Sequence, residues 1–300
     1  MNSVEVAANA ELKALGDIPI DDVLEAMDRP PPNYRDLYYR WERQQWESSS
    51  IDFSEDHRQW TQEIPEDLKR SLLWGLASFY VGEEQVTRSL VPFVDAAPTE
   101  EHQVFLATQL VDEARHTVFF DLFYQEVLDE EGVDMSSRLA AQVDRLNPGF
   151  RTLLLEMLPA AADAIRERPH DLDALVEGVV LYHILIEATL ALTGQRFLLN
   201  FTRENGLLPG FRQGFTAVAR DESRHVGFGV RFLKEMVDRD RRFLDTINRK
   251  VQEFTPIGLS VIEPPDGDLS YFDPLPYGPD DLSAFALNSL AKRLQAIGAA

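Results

Sequence analysis

Two five-residue stretches constrain this chain more than anything else in it: Asp112-Glu113-Ala114-Arg115-His116 and Asp221-Glu222-Ser223-Arg224-His225. They lie 109 residues apart, and each sets a Glu and a His three positions apart. On an α-helix that spacing places both side chains on one face, a turn apart. One Glu-x-x-His is more often a solvated helix face than a ligand pair. Here each copy trails an isolated Glu on an apolar helix. Glu83 interrupts the stripe Leu73, Leu76, Tyr80, Leu90, 30 residues before Glu113. Glu187 interrupts Val180, Ile184, Leu190, Gly194, 35 residues before Glu222. An unpaired carboxylate among apolar neighbours is strongly unfavourable, so each needs a partner. Together Glu83, Glu113, His116, Glu187, Glu222 and His225 match the ligand set of a dinuclear carboxylate site inside a four-helix bundle. Four carboxylates balance two divalent cations, and mixed nitrogen and oxygen donors suit iron or manganese.

The rest of the chain is patterned for helices, with sparse strand signals, so the expected class is all-α. Residues 1–45 read as a peripheral arm with a short aromatic-rich helix at 34–49, and residues 46–300 as a single metal-binding helical domain. Asp56, His57 and Trp60 are expected in a turn. Long helices are expected over about 65–96, over about 99–131 with Gly132 closing it, over about 171–204, and over about 209–238. A segment over about 147–168 should kink at Pro159. Further helices are expected at about 239–262 and 280–297, with a loop at 268–278 between them.

The net charge of −22 argues against a nucleic-acid partner or an anionic membrane surface, since both need basic patches. The absence of cysteine excludes disulfides and thiolate-held zinc or iron–sulfur clusters. No basic-then-apolar leader opens the chain and no transmembrane run is expected, so the cytoplasm is the expected compartment.

The order Glu, Glu-x-x-His, Glu, Glu-x-x-His resembles the ferritin-like superfamily of the ribonucleotide reductase small subunit. Residues 46–60, from Trp46 through Ile51-Asp52 to Trp60, are similar to the segment leading into that subunit's bundle. Gly82-Glu83-Glu84-Gln85-Val86-Thr87, Asp112-Glu113-Ala114-Arg115-His116-Thr117 and Ala191-Leu192-Thr193-Gly194 look like one branch, the ligand-binding oxidases related to the subunit. The resemblance covers roughly residues 45–245 and, more loosely, 281–298. It implies a ferritin-like bundle, a manganese–iron or di-iron centre, dioxygen activation, a long-chain fatty acid bound at the metals, an unidentified electron donor and a homodimer. It also implies an ether link between Val86 and Tyr182, which lies five before Glu187. An ideal helix separates those last two by about 140°, so both can face the metals only if the turn is widened. Asp221 matches the small-subunit Asp that joins a metal His to a Trp, here Trp46. Asp112, beside Glu113, can hydrogen-bond an imidazole or be a helix-surface charge, and the imidazole role is favoured for Asp221 only; His183, four before Glu187, is expected as a neighbour of the ligands rather than a ligand. The cavity for the acyl chain is expected among Phe79, Leu110, Phe119, Phe120, Ile184 and Leu190.

The alternative is the reductase small subunit itself. Against it, Phe120 stands where the subunit usually stores its radical on Tyr. The chain is also expected to lack that subunit's flexible C-terminal tail, since Tyr271 and Tyr277 precede the final helix. An acyl desaturase has no use for Val86 with Tyr182, and an arylamine oxygenase would place a His where this chain has Val218. An iron-storage ferritin is about half this length.

Overall fold

A computed structural model describes residues 11–27, 32–129 and 134–299. The described residues contain helices and turns and no strand. The helices are α1 Ile20–Met27, α2 Tyr34–Arg43, α3 Ser54–Gln62, α4 Glu66–Ser89, α5 Val91–Asp95, α6 Glu100–Glu126 and α7 Met135–Gln142. They continue with α8 over 148–167, α9 Leu172–Glu204, α10 Pro209–Arg239, α11 Arg242–Ser260 and α12 Pro279–Ile297.

The bundle is two antiparallel pairs, α4 with α6 and α9 with α10, joined where α10 lies against α6. The starts of α6 and α10 are held by acceptors for their orphan amides. Thr99 accepts from the His102 amide ahead of Glu100 and Glu101, which favour the positive end of the α6 dipole. The α10 start is tighter. Leu208 sits at φ 48°, Pro209 opens the helix, and the Asp56 carboxylate accepts from the amides of Gly210 at 2.8 Å and Phe211 at 2.7 Å. A Cβ at Gly210 would meet the Asp52 carbonyl at 2.8 Å, so only glycine allows the chain to approach there. Asp56 can cap α10 because it sits in α3; the residues expected in a turn form that helix, with Trp60 buried on its inner face.

Other boundaries also differ from the periodicity. The first bundle helix ends at Ser89, and Pro92 sits in the first turn of α5, because proline offers no amide to continue the ladder. The helix expected over 34–49 stops at Arg43, leaving 44–47 irregular before a 3-10 turn at Ser48–Ser50. α6 ends at Glu126, and Gly132 lies outside the described residues. Helix α7 and helix α1 were not expected. α1 is laid along α10, burying Ile20 and Leu24 with Leu12 and Leu15 just before it. In α8, a π-helical stretch at Arg151–Met157 precedes Pro159 and takes up the misfit that proline creates.

The core at one end of the bundle is aromatic. Phe119, Phe120, Phe211 and Phe215 are fully buried, with ring centroids 4.9 to 6.3 Å apart. Each such ring contributes about 1.5–3 kcal/mol by burial. Helix α9 is long and apolar enough to cross a membrane by composition, yet 83% of its most apolar window is buried inside the bundle.

Candidate metal centre

Each bundle helix delivers its acidic residue to one point. Glu83 comes from α4, Glu113 and His116 from α6, Glu187 from α9, and Glu222 and His225 from α10. They form two buried quartets, Glu83 with Glu113, His116 and Glu222, and Glu187 with Glu113, Glu222 and His225. Within each quartet the donor atoms lie within 4.8 Å of one another. Glu113 and Glu222 belong to both, the position of ligands shared by two ions. His116 Nδ1 faces Glu83 at 3.3 Å, Glu222 at 3.4 Å and Glu113 at 3.5 Å. His225 Nδ1 faces Glu113 at 3.2 Å, Glu222 at 3.3 Å and Glu187 at 3.7 Å. Glu84, by contrast, turns outward to pair with Arg88.

The donor set fits two divalent ions. Glu187 Oε2 is buried without a hydrogen-bond partner, an orphan oxygen that a cation would satisfy. Burial, reinforced by Glu222, pushes the Glu187 carboxyl well above its usual range, and burial raises Glu83 likewise. Burial also opposes ionisation of Glu113, but the imidazoles of His225 and His116 prevail and hold it low. Both histidines are raised well above normal: burial works against their charge, and the carboxylates outweigh it, led by Glu83 for His116 and Glu222 for His225. In this arrangement protons take the place that cations would hold.

Behind each imidazole stands an Asp–Trp pair. His116 Nε2 lies 3.4 Å from Asp221 Oδ2, which accepts from Trp46 Nε1 at 2.7 Å. His225 Nε2 lies 3.2 Å from Asp112 Oδ2, and Asp112 Oδ1 accepts from Trp41 Nε1 at 3.0 Å. Asp112 is therefore no surface charge; it is buried and holds the second imidazole as Asp221 holds the first. Arg224 ties the two together, donating to Asp112 at 2.7 Å and Asp221 at 2.8 Å. Arg115 lies 3.3 Å from Asp112 and 3.6 Å from Asp221. The sequence left the role of Asp112 open and gave no role to Arg115, Arg224 or Trp41. The signal was present: the two copies share not only Glu and His but also the preceding Asp and the Arg before His.

Helix α9 is π-helical from Val180 to Ala191. Its hydrogen bonds close five residues back, so residues five apart come to one face. Tyr182 and Glu187 accordingly meet the same side chain: Gln109 Nε2 donates to the Tyr182 hydroxyl at 3.0 Å and to Glu187 at 2.8 Å. The Tyr182 hydroxyl donates to Glu113 Oε1 at 2.8 Å. Gln109 Oε1 in turn faces His183 Nε2 at 3.1 Å. His183 is kept neutral, its pKa lowered to about 3 by burial and by the nearby His225.

The model of the family described as ribonucleotide reductase, small chain, matches residues 30–257. The chain belongs to that family. Solved structures of similar shape include an R2-like ligand-binding oxidase, in a valine-to-isoleucine variant with an anaerobically reconstituted Mn/Fe cofactor. It superposes with a TM-score of 0.77 at 25% identity, over 90% of this chain and 94% of that one. A tyrosine-to-phenylalanine variant of an R2-like ligand-binding oxidase, also with an anaerobically reconstituted Mn/Fe cofactor, matches with a TM-score of 0.76 at 24% identity. There the coverage is 88% and 93%.

An apolar cavity of about 190 Å³ runs from Glu83, Glu113, Glu187 and Glu222 past Val86, Tyr182, Phe79 and Leu190 toward Phe272, Leu275 and Tyr277. Of the expected lining, Phe79 and Leu190 are there. Phe119 and Phe120 instead fill the aromatic core, and Leu110 and Ile184 do not line the cavity. Gly194 leaves room for Phe79, whose ring would stand 2.8 Å from a Cβ at that position. Phe120 is buried against Phe79 and Phe215, and Val218 is buried.

Proposed function

We propose that this chain is a dioxygen-activating dinuclear metal oxidase that loads manganese and iron, or two irons, and binds a long-chain fatty acid or similar lipid. One observation carries this reading: two buried quartets of ligand atoms share Glu113 and Glu222 and open onto an apolar cavity. The ions would be held by Glu83, Glu113, His116 and Glu222 on one side and by Glu113, Glu187, Glu222 and His225 on the other. When bound, they supply dioxygen binding and one-electron redox steps. The chain supplies the rest. Asp221 and Asp112 fix the imidazoles, Gln109 orients Glu187 and Tyr182, and the apolar walls exclude water. An acyl chain in the cavity gains about 0.8 kcal/mol per buried methylene, and its carboxylate end meets the carboxylate-lined end only if cations are present.

Val86 and Tyr182 line that same cavity, and the ether between them belongs to this proposal. The bond that forms joins a Val86 side-chain carbon to the Tyr182 oxygen. A Val86 C–H and the Tyr182 O–H break, and two electrons and two protons pass to dioxygen. The test is metal analysis, organic extraction and peptide mass spectrometry on protein loaded in air. About two metals per chain, an extracted fatty acid and a linked peptide pair lighter by two hydrogens are expected. A folded chain that binds no metal sinks the reading. Unlinked peptides beside oxidised metal remove only the ether. The small-chain family match is shared by the reductase-subunit alternative, but Phe120 offers no hydroxyl on which to store a radical, and the alternative is not the better reading.

The homodimer is likewise proposed. Val104, Val111 and Val118 are exposed at heptad spacing on α6, with exposed Ala107 and Ala114 between them. On a chain of charge −22 this uncharged stripe is where a second copy can pack against itself about a two-fold axis. Light scattering should give a dimer, and Val111→Lys a monomer; a wild-type monomer at working concentration ends the idea.

A further inference from the structure

The two Asp–Trp pairs behind the imidazoles differ in where they lead. Trp46 is buried, its ring stacked on His116 at 6.4 Å, and the Arg115 guanidinium lies 5.4 Å from its centroid. Trp41 is only half-buried, and beyond it the rings continue outward. Tyr38 lies 5.9 Å from Trp41, and Tyr39 lies 6.2 Å from Tyr38 with its side exposed to solvent. An unbroken run of easily oxidised rings thus connects the surface of α2 to Asp112, and Asp112 touches the His225 imidazole.

We propose that Tyr39, Tyr38 and Trp41 form an electron inlet that serves the ion held by His225, separate from Trp46 behind His116. The proposal rests on the metal reading above. A simple structural role for Trp41 would be to satisfy one oxygen of Asp112. That need is already largely met, because Asp112 also receives Arg224 and Arg115. Nor does it account for the tyrosines in line with the indole. In the step itself, one electron leaves an external one-electron donor and one arrives at the oxidised ion. The electron crosses by way of the Trp41 ring and the hydrogen bond from its Nε1 to Asp112. Trp41 ends the step in the oxidation state in which it began, and no covalent bond changes.

The test uses the full chain, loaded with ferrous iron, oxidised in air and assayed for iron content. Photoreduced tris(bipyridine)ruthenium serves as donor: it is too bulky for the apolar cavity, and its positive charge draws it to this anionic chain. Loss of the oxidised-iron absorption is followed after the flash. Trp41→Phe should slow one phase of reduction by about tenfold or more, and Tyr38→Phe should slow the same phase by less. Trp46→Phe should slow the other phase. Trp41→His, which keeps an N–H toward Asp112 without an easily oxidised ring, should be as slow as Trp41→Phe. Wild-type kinetics in Trp41→Phe at wild-type iron content overturn the inlet and leave the metal centre standing. So does fast reduction in Trp41→His, which would assign Trp41 to positioning Asp112. A wild-type chain that takes up no iron overturns both.

Discussion

At the scale of residues, the site is unequal in a way the sequence does not reveal. Glu113 and Glu222 belong to both quartets, whereas Glu83 and Glu187 each belong to one. Glu83→Gln should therefore lose mainly the ion beside His116 and keep the other. Glu113→Ala should lose most of both, with the fold kept by the aromatic core. Metal analysis of each purified variant checks this, and equal losses in the two would refute the sharing. That these six residues meet was legible because helical spacing and burial of a charge are properties of the sequence alone. Of the residues behind them, Asp221 and Trp46 were reached through the family resemblance, and Trp41 and Arg224 were not reached at all. Asp112 and Asp221 occupy the same place in their motifs, and periodicity cannot tell an Asp facing a neighbouring helix from one facing water. Only when α2 lies across α6 and α10, bringing Trp41 and Trp46 inward, do both carboxylates become supports for imidazoles.

At the scale of elements, the long helices were legible, while the short α1, α3 and α7 and most helix termini were not. Apolar periodicity marks α4, α6, α9 and α10, but α3 is defined by what it caps, which lies about 150 residues onward. That contact has a pH signature. Burial pushes the Asp56 carboxyl up to about 6, with the amides of Phe211 and Gly210 pulling it back down. A folded-state value raised above the ordinary 3.8 means that the folded chain holds this proton more tightly. The resulting stability is complete below pH 4 and is lost as pH rises toward 6, at most about 3 kcal/mol. Asp56→Asn should flatten that part of the stability profile relative to wild type, measured by denaturant melts at pH 4 to 7. Parallel profiles would show that Asp56 keeps an ordinary pKa. The π-helical stretch of α9 is the other element beyond sequence reading, although the angle between Tyr182 and Glu187 demanded some widening. Thr189 supports it, donating its hydroxyl to the Ile184 carbonyl five residues back at 2.7 Å. Thr189→Val keeps the shape and removes the donor. It should cost about 0.5–1.5 kcal/mol in stability and lower the yield of the proposed Val86–Tyr182 link, read by peptide mass spectrometry. A full yield would show that the backbone holds the turn unaided.

At the scale of the whole molecule, the bundle buries four carboxylates and two imidazoles at its centre, and what neutralises them governs its stability. Without metal, Glu83 is pushed up to about 8 by burial, with the imidazole of His116 opposing, and Glu187 and both histidines are raised as well. Each raised group makes the folded chain bind protons that the unfolded chain releases. Their stabilising contribution is present below the unfolded pKa values, near 4.5 for the glutamates and 6.5 for the histidines. It is lost as pH rises through the folded values. The metal-free chain should therefore weaken steadily between about pH 5 and 8. Metal binding runs the other way. A cation must displace those protons, so uptake strengthens with rising pH and releases fewer protons per ion near pH 8 than near pH 6. Metal bound only by the folded state adds about 4 kcal/mol when present at a thousandfold excess over its dissociation constant. The gap in melting temperature between metal-loaded and metal-free protein should thus widen from pH 6 to pH 8. Calorimetric titrations with ferrous iron in two buffers of different ionisation enthalpy should show the matching fall in proton release. A gap that narrows with pH, or binding that releases no protons at pH 6, would mean that the cluster is not held together by protons when metal is absent.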